Sequence, residues 1–346
     1  MGEPHPHLHW YPSRITYHVS RITHHSGNTM SKQSLNHIFT KPTMSRRYEV
    51  WFLKLMLADG SGAWWFRYLL MNLGRADGGG CRNNPRGLPL QAWATWFPRG
   101  GEPQSVIQGF EQEGLSLSNQ PFEIAFAGNR FDEESCTGRV AIDGHEISWD
   151  LKYRSTFASS MSEVSWIGFS RTPHSDATFS GEINFDGRSF KGEPLGYGLQ
   201  GHNCGYRHRN MWTWTHLMAL NSDGSATTFE ALEYDIGAGL MFRRALLWHE
   251  GVLYKFNRFS KVFRDQESLQ WLFECSDARS GLSVEVAVDG GGESLHRLPY
   301  VKTNCSGTFE VSNNSLAAGA LYLRRKDRSE EVISANGGAV LEMVGG

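Results

Sequence analysis

The run Gly201–His216, GHNCGYRHRNMWTWTH, gathers more chemistry-bearing side chains than any other stretch of the chain. Read as a strand from Tyr206 to Leu220, its side chains alternate between two faces. One face carries His208, Asn210, Trp212, Trp214, His216 and Met218; the other carries Arg207, Arg209, Met211, Thr213, Thr215 and Leu217. The first face mixes flat apolar area with hydrogen-bonding groups, which is how the wall of a small-molecule pocket is usually composed. Alternating tryptophans equally suit the packed core of a barrel, with the two histidines as satisfied core residues.

Distance argues against a metal at this strand. At about 3.4 Å per residue, His208 and His216 stand roughly 27 Å apart in an extended segment, too far to share an ion. His202 and His208 form one pair, short of the three protein ligands of a catalytic zinc. Neither a metal nor a cofactor is therefore expected. A nucleophilic serine finds no GxSxG elbow. The glycine-rich Arg75–Cys81 follows a strand without opening a helix, so it is not expected to cradle a phosphate.

A proton donor is easier to place. Glu49 shares its strand face with Trp51, Leu53 and Leu55. Such neighbours disfavour the charged carboxylate and leave an acid able to give up a proton. Arg67, on the next hairpin arm, is its structural partner in the competing reading. Glu230, Glu233 and Asp235 split between faces, and Tyr234 and Tyr254 are further hydroxyl donors.

The elements that must position these groups are short strands. From Tyr48 onwards, apolar and aromatic runs of about 6–11 residues alternate with turn signals at Asp59-Gly60, Asp143-Gly144, Asp186-Gly187, Asp223-Gly224, Glu250-Gly251 and Asp289-Gly290. No sustained 3.6-residue period is present, so helix is minor. A meander of roughly 18–22 strands must bury its edges, and two barrels of about 8–10 strands do so economically. The glycine-rich Gly192–Gly201 marks the boundary. The expected organisation is an N-terminal extension over 1–43, a first barrel over 44–200 and a second over 201–346.

The extension carries seven of the 14 histidines (His5, His7, His9, His18, His24, His25, His37) and little apolar surface, which predicts a flexible segment. A formal net charge of −2 supplies no field for nucleic acid. No run approaches the ~18 apolar residues of a membrane span, and the first residues lack the apolar core of a signal peptide. Five scattered cysteines without a CxxC argue against a disulfide framework and favour a reducing, cytoplasmic setting.

Three features together resemble the tandem lipocalin-like family of carotenoid 1,2-hydratase (hydroxyneurosporene synthase) and AttH-like proteins, and more distantly tocopherol cyclase. They are Tyr-Glu-x-Trp at Tyr48–Trp51, Gly-x-Asn-x-Gly followed by Trp-x-Trp-x-His at Gly201–His216, and the ending Pro299–Leu323 with Ser-Gly-x-Phe-x-Val at Ser306–Val311. Cys204 departs from the aromatic residue expected at its position in several relatives. The resemblance implies an all-β fold of two lipocalin-like (calycin-type) antiparallel barrels in tandem. It also implies an apolar, often isoprenoid-like, ligand; transient membrane contact to collect such a molecule is a further expectation.

Three functions follow as alternatives. The chain acts on a carbon–carbon double bond, as a hydratase (a lyase) or a cyclase (an isomerase), including pericyclic cyclisation by shape; or it carries an apolar ligand without turnover; or its lumens are simply packed. For the first, His208, His216 and Glu49 are the candidate catalytic acids. The candidate ligand-binding residues are Trp51, Trp212, Trp214, Asn210, His202, Asn203, Tyr206 and Tyr234. Aromatic faces would stabilise a developing carbocation. The inward face of Tyr206–Met218 separates the third from the other two: a lumen filled by side chains would count against both ligand readings.

Overall fold

The computed structural model describes residues 35–84, 86–164 and 168–345. Most of the extension read over 1–43, including six of its histidines, lies outside the described residues. Among those described, every element is a strand: β1 (Tyr48–Leu57), β2 (Gly62–Met71), β3 (Leu90–Pro98), β4 (Gln104–Phe110), β5 (Ser116–Asn119), β6 (Phe122–Phe126), β7 (Asn129–Asp132), β8 (Ser135–Ile142), β9 (His145–Arg154), β10 (Ser159–Val164), β11 (Gly168–Phe185) and β12 (Arg188–Gly205). The second half adds β13 (Trp212–Leu220), β14 (Ala226–Gly237), β15 (Leu240–His249), β16 (Val252–Phe256), β17 (Phe259–Asp265), β18 (Gln270–Asp277), β19 (Leu282–Asp289), β20 (His296–Val301), β21 (Thr308–Arg324) and β22 (Glu330–Val344). No helix among them is long and apolar enough to cross a membrane.

These strands form two antiparallel sheets, one of 12 strands (β1–β12) and one of 10 (β13–β22). Each curls around its own apolar core, giving two lipocalin-like barrels in tandem. In the first, β4 meets β8 across the gap, where Gln108 accepts a hydrogen bond from Ala141 N at 2.9 Å. The Asp-Gly and Glu-Gly turns have a plain cause. Asp143-Gly144, Asp186-Gly187 and Glu250-Gly251 all take positive φ at both positions, as the tightest hairpins demand. Asp289-Gly290 instead ends β19 and leads into a loop. The first sheet exceeds the expected strand count because it includes β5 and β7, of four residues each, too short to read as runs.

Three further expectations are corrected. β12 runs to Gly205, paired with β1 over Gly196–Gly205 and with β11 on its other side, so the barrels divide within 206–211 and not at 200/201. Residues 35–43 do not hang free. Leu35, Asn36, Ile38 and Thr40 are buried, and Phe39 N and Thr40 N donate to the Glu49 carboxylate (2.9 and 2.6 Å). Finally, Cys81 and Cys305 form a disulfide, 224 residues apart in sequence, that ties the β2–β3 loop of the first barrel to the β20–β21 loop of the second. The reducing compartment inferred from cysteine spacing loses that basis. Cys136, Cys204 and Cys275 are free and buried.

Candidate functional site

Period-two alternation decides which side chains face inwards and which face the other barrel. On β1, Trp51, Leu53, Leu55 and Leu57 fill the first lumen with Trp64, Phe66, Tyr68 and Trp149 from neighbouring strands. The second lumen is filled likewise by Leu217, Phe229, Trp271, Phe273 and Leu341. Both interiors are packed with side chains, so the expectation of a ligand inside a barrel does not describe this chain. The opposite faces meet. Phe52, Trp65, Phe97 and Leu199 from one barrel pack against Trp214, Leu232, Leu246 and Val340 from the other. The Trp-x-Trp face of β13 therefore points out of its own barrel.

A cavity of about 150 Å³ interrupts this interface. Phe52 and Trp65 of the first barrel and Trp212, Trp214, Leu232 and Tyr234 of the second supply its apolar wall. Arg67, Asn203, His208, Tyr300 and Glu342 supply its polar groups. The segment 206–211 crosses it between the barrels and contributes Arg207, His208 and Arg209. That segment bends, so β13 begins only at Trp212, and the long strand read from Tyr206 is two pieces.

The Gly-x-Asn-x-Gly motif acquires a physical reason here. A Cβ on Gly201 would lie 2.2 Å from the Phe52 ring, and one on Gly205 would lie 2.7 Å from the Tyr48 ring. Two cavity-wall aromatics can lie flat on β12 only because those side chains are missing. Asn203, between them, lines the cavity with its Oδ1 unpartnered among the described residues.

The electrostatics centre on Glu342. Its Oε1 accepts the Trp212 indole N–H at 3.0 Å, and its Oε2 accepts the Tyr300 hydroxyl at 3.4 Å. Burial raises its pKa above the ordinary carboxylate value, opposed by the nearby Arg67 charge. Arg67 is buried, with its guanidinium over the rings of Trp93 (4.4 Å) and Tyr300 (4.3 Å). Its Nη1 has no hydrogen-bond acceptor among the described residues. His208 stacks on Tyr48 with ring centroids 4.2 Å apart, and its Nδ1 is also unpartnered among them. Burial, aided by the Arg67 charge, pushes its pKa down to about 3, so the ring is neutral at physiological pH. One charged donor, one amide acceptor and one neutral imidazole thus surround a single apolar cavity with bonds left to make.

The sequence-derived candidates divide. His208, Asn203, Trp212, Trp214 and Tyr234 line the cavity. Asn210 and Tyr206 are exposed. Glu49, His202 and Trp51 lie inside the first barrel: His202 Nε2 is 2.9 Å from Glu49 Oε1, its Nδ1 donates to Leu35 O at 2.7 Å, and Trp51 stacks on its ring. There they clamp residues 35–43 onto the barrel. Arg67 is not Glu49's partner, because it pairs with Phe52 on the opposite face. His216 is buried away from the cavity; its Nε2 donates to Ser175 O at 2.9 Å, and burial pushes its pKa down to about 3. Cys204 turns its Sγ to Arg47 Nη1 at 3.4 Å. Burial pushes that thiol up to about 12.

Sequence reasoning missed Tyr300 and Glu342 and read Arg67 only as a partner of Glu49; the three stand on strands far apart in the chain. Only the outward alternation of Arg67 with Trp65, and of Glu342 with Val340, hints at them. A second carboxylate, Glu230, faces the same interface and is fully engaged by Trp214 Nε1, Thr172 Oγ1 and Ser159 Oγ (2.9, 2.9 and 3.1 Å). Burial raises its pKa too. No three described His, Cys, Asp or Glu side chains come close enough to hold a metal ion.

No protein-family profile matches the sequence, and no curated protein matches it in sequence. Solved structures do share its fold. A candidate AttH from Nitrosomonas europaea superposes with a TM-score of 0.51 at 11% identity, covering 88% of this chain and 94% of that one. Kievitone hydratase from Nectria haematococca superposes with a TM-score of 0.52 at 9% identity, covering 92% of this chain and 95% of that one.

Proposed function

We propose that the cavity between the barrels binds the unsaturated end of an apolar, isoprenoid-like molecule and adds water across its double bond. One observation carries this reading: the Glu342 carboxyl, whose pKa burial raises, opens onto an aromatic-walled cavity beside three polar atoms with bonds to spare. Protonating an alkene needs an acid that holds its proton at rest and releases it into a dry site. Burial provides the first condition. Arg67 provides the second, since its charge stabilises the carboxylate left behind. The carbocation then faces the rings of Trp212, Trp214 and Tyr48, which attract a cation through their π-faces. His208, neutral, accepts a hydrogen bond from the incoming water, and the Glu342 carboxylate recovers the proton. The fold shared with a hydratase agrees with this chemistry.

Size limits the substrate. A cavity of about 150 Å³ admits a group of roughly benzene size, so it takes the end of a chain while the remainder lies outside. Incubating the protein with geraniol in ¹⁸O-labelled water and analysing the products by mass spectrometry tests the proposal. Incorporation of one labelled oxygen, lost on mutating Glu342, is the expected result. Saturable binding without incorporation would leave a carrier, and no binding would remove the cavity as a ligand site.

A further inference from the structure

A second cavity between the barrels, of about 200 Å³, has a different character. Its wall includes Lys54, Met56 and Tyr197 of the first barrel and Met218, Leu220 and Asn336 of the second. Leu220, Ser334 and Asn336 are exposed at its rim, so it communicates with solvent. Lys54 is at its floor, 1% exposed. An ammonium group has three protons to donate, yet among the described residues the Nζ finds one acceptor, Gly337 O at 3.3 Å. That carbonyl belongs to a bulge of β22, whose neighbouring residues Asn336 and Gly338 line the cavity, which brings the amine to the cavity wall. No described carboxylate pairs with Lys54: the interface carboxylates Glu230 and Glu342 are taken by other partners.

We infer that Lys54 is a reactive amine that condenses with small apolar aldehydes entering this cavity, forming an imine. The nitrogen lone pair attacks the carbonyl carbon, and the oxygen takes up the proton that nitrogen releases. The hydroxyl of that adduct takes up a second proton, the C–O bond breaks and water leaves as the C=N bond forms, and nitrogen gives up its remaining proton, with no oxidant or reductant consumed. Met56, Met218 and Leu220 suit an apolar tail, and Tyr197, also on the wall, is a phenol available to protonate the departing oxygen. Burial lowers the pKa of Lys54 to about 7, so a large fraction is free amine at neutral pH, whereas an exposed lysine is almost wholly protonated. This assignment is independent of any reaction in the larger aromatic cavity.

The test is reductive trapping. The intact protein is incubated with benzaldehyde at pH 7 and limiting cyanoborohydride, and the modified lysines are located by peptide mapping. Lys54 is expected to label at least tenfold faster than exposed Lys255 and Lys326, with a pH midpoint near 7. Met218→Trp, on the interface face of β13, adds bulk at the cavity wall and keeps the lysine; it is expected to abolish Lys54 labelling while leaving that of the exposed lysines intact. Labelling of Lys54 no faster than that of the exposed lysines in the unmodified protein overturns the assignment. Rapid labelling that survives Met218→Trp, in a variant that melts like the parent, overturns the cavity's part in it.

Discussion

The indole N–H of Trp212 donates to Glu342 Oε1 at 3.0 Å, joining the first residue of β13 to the C-terminal end of β22 at the edge of the aromatic cavity. With the Tyr300 hydroxyl on its other oxygen, the carboxyl is held in one orientation. Glu342→Gln keeps the shape and an oxygen to accept the Trp212 bond, but its amide cannot protonate carbon. Hydration of a geraniol probe is expected to fall by about 10²–10⁴-fold with binding changed only a few-fold, measured as kcat against Kd. Loss of binding with turnover of the residual complex intact would assign Glu342 to recognition instead.

Arg67 tunes that acid. Its charge lowers the pKa of Glu342, against the larger upward effect of burial. The reactive form is protonated, so activity falls as pH rises through the raised pKa. Arg67→Met removes the opposing charge and is expected to move this alkaline limb to higher pH, while slowing the step at its plateau. A limb that does not move would detach Arg67 from the chemistry.

Much of the architecture is legible in the sequence, because alternation and Asp-Gly turns are local signals. The two barrels follow from them. The face of β13 is legible as well, but not its direction. A strand packed on both sides has an apolar pattern on each, and Trp212, Trp214 and Leu217 carry no mark of which lumen or interface they serve. Glu49 misleads for the same reason, since a buried carboxylate satisfied by backbone N–H groups looks in sequence like one poised to react. Arg67 of β2 meets Tyr300 of β20 and Glu342 of β22 only because the two barrels pack on one another, strands of different sheets with no pairing between them, and the Cys81–Cys305 bridge is non-local in the same way.

That bridge has a measurable weight. Closing a loop of 224 residues restricts the unfolded chain and contributes up to about 5 kcal/mol in the chain-entropy view. Cys305→Ser is expected to lower the melting temperature by several degrees, and reductant is expected to lower that of the parent but not that of the variant. Equal sensitivity of both to reductant would mean the bridge is not formed in solution.

Lys54 gives stability a pH dependence of known sign. Its folded pKa, about 7, lies below the 10.5 of the free side chain. Between these values the unfolded chain binds a proton that the folded one does not, so this residue's contribution rises with pH across the window and is least favourable below pH 7. Lys54→Met fills the same space without a charge to desolvate. It is expected to stabilise the protein by a few kcal/mol at pH 6, with the advantage shrinking towards pH 10 in urea titrations. A constant difference across that range would show that the amine is solvated.

Gly201 tests whether the two barrels and the cavity are one construction. It lies opposite Phe52 on β1, and an added Cβ would come within 2.2 Å of that ring. Phe52 packs edge-on against Trp214 across the interface, with ring centroids 5.6 Å apart. A displaced ring must therefore push Trp214, and Trp214 in turn holds Glu230 through its N–H. Gly201→Ala is expected to cost about 1–3 kcal/mol, as overpacking usually does, and to weaken probe binding in the aromatic cavity by at least tenfold. Gly100→Ala, at an exposed turn where a Cβ meets nothing within 4 Å, separates backbone strain from contact. It is expected to lose stability through its positive φ (+76°) and to leave binding unchanged. If Gly201→Ala lost stability but bound the probe normally, the ring of Phe52 would be packing and not part of the ligand wall.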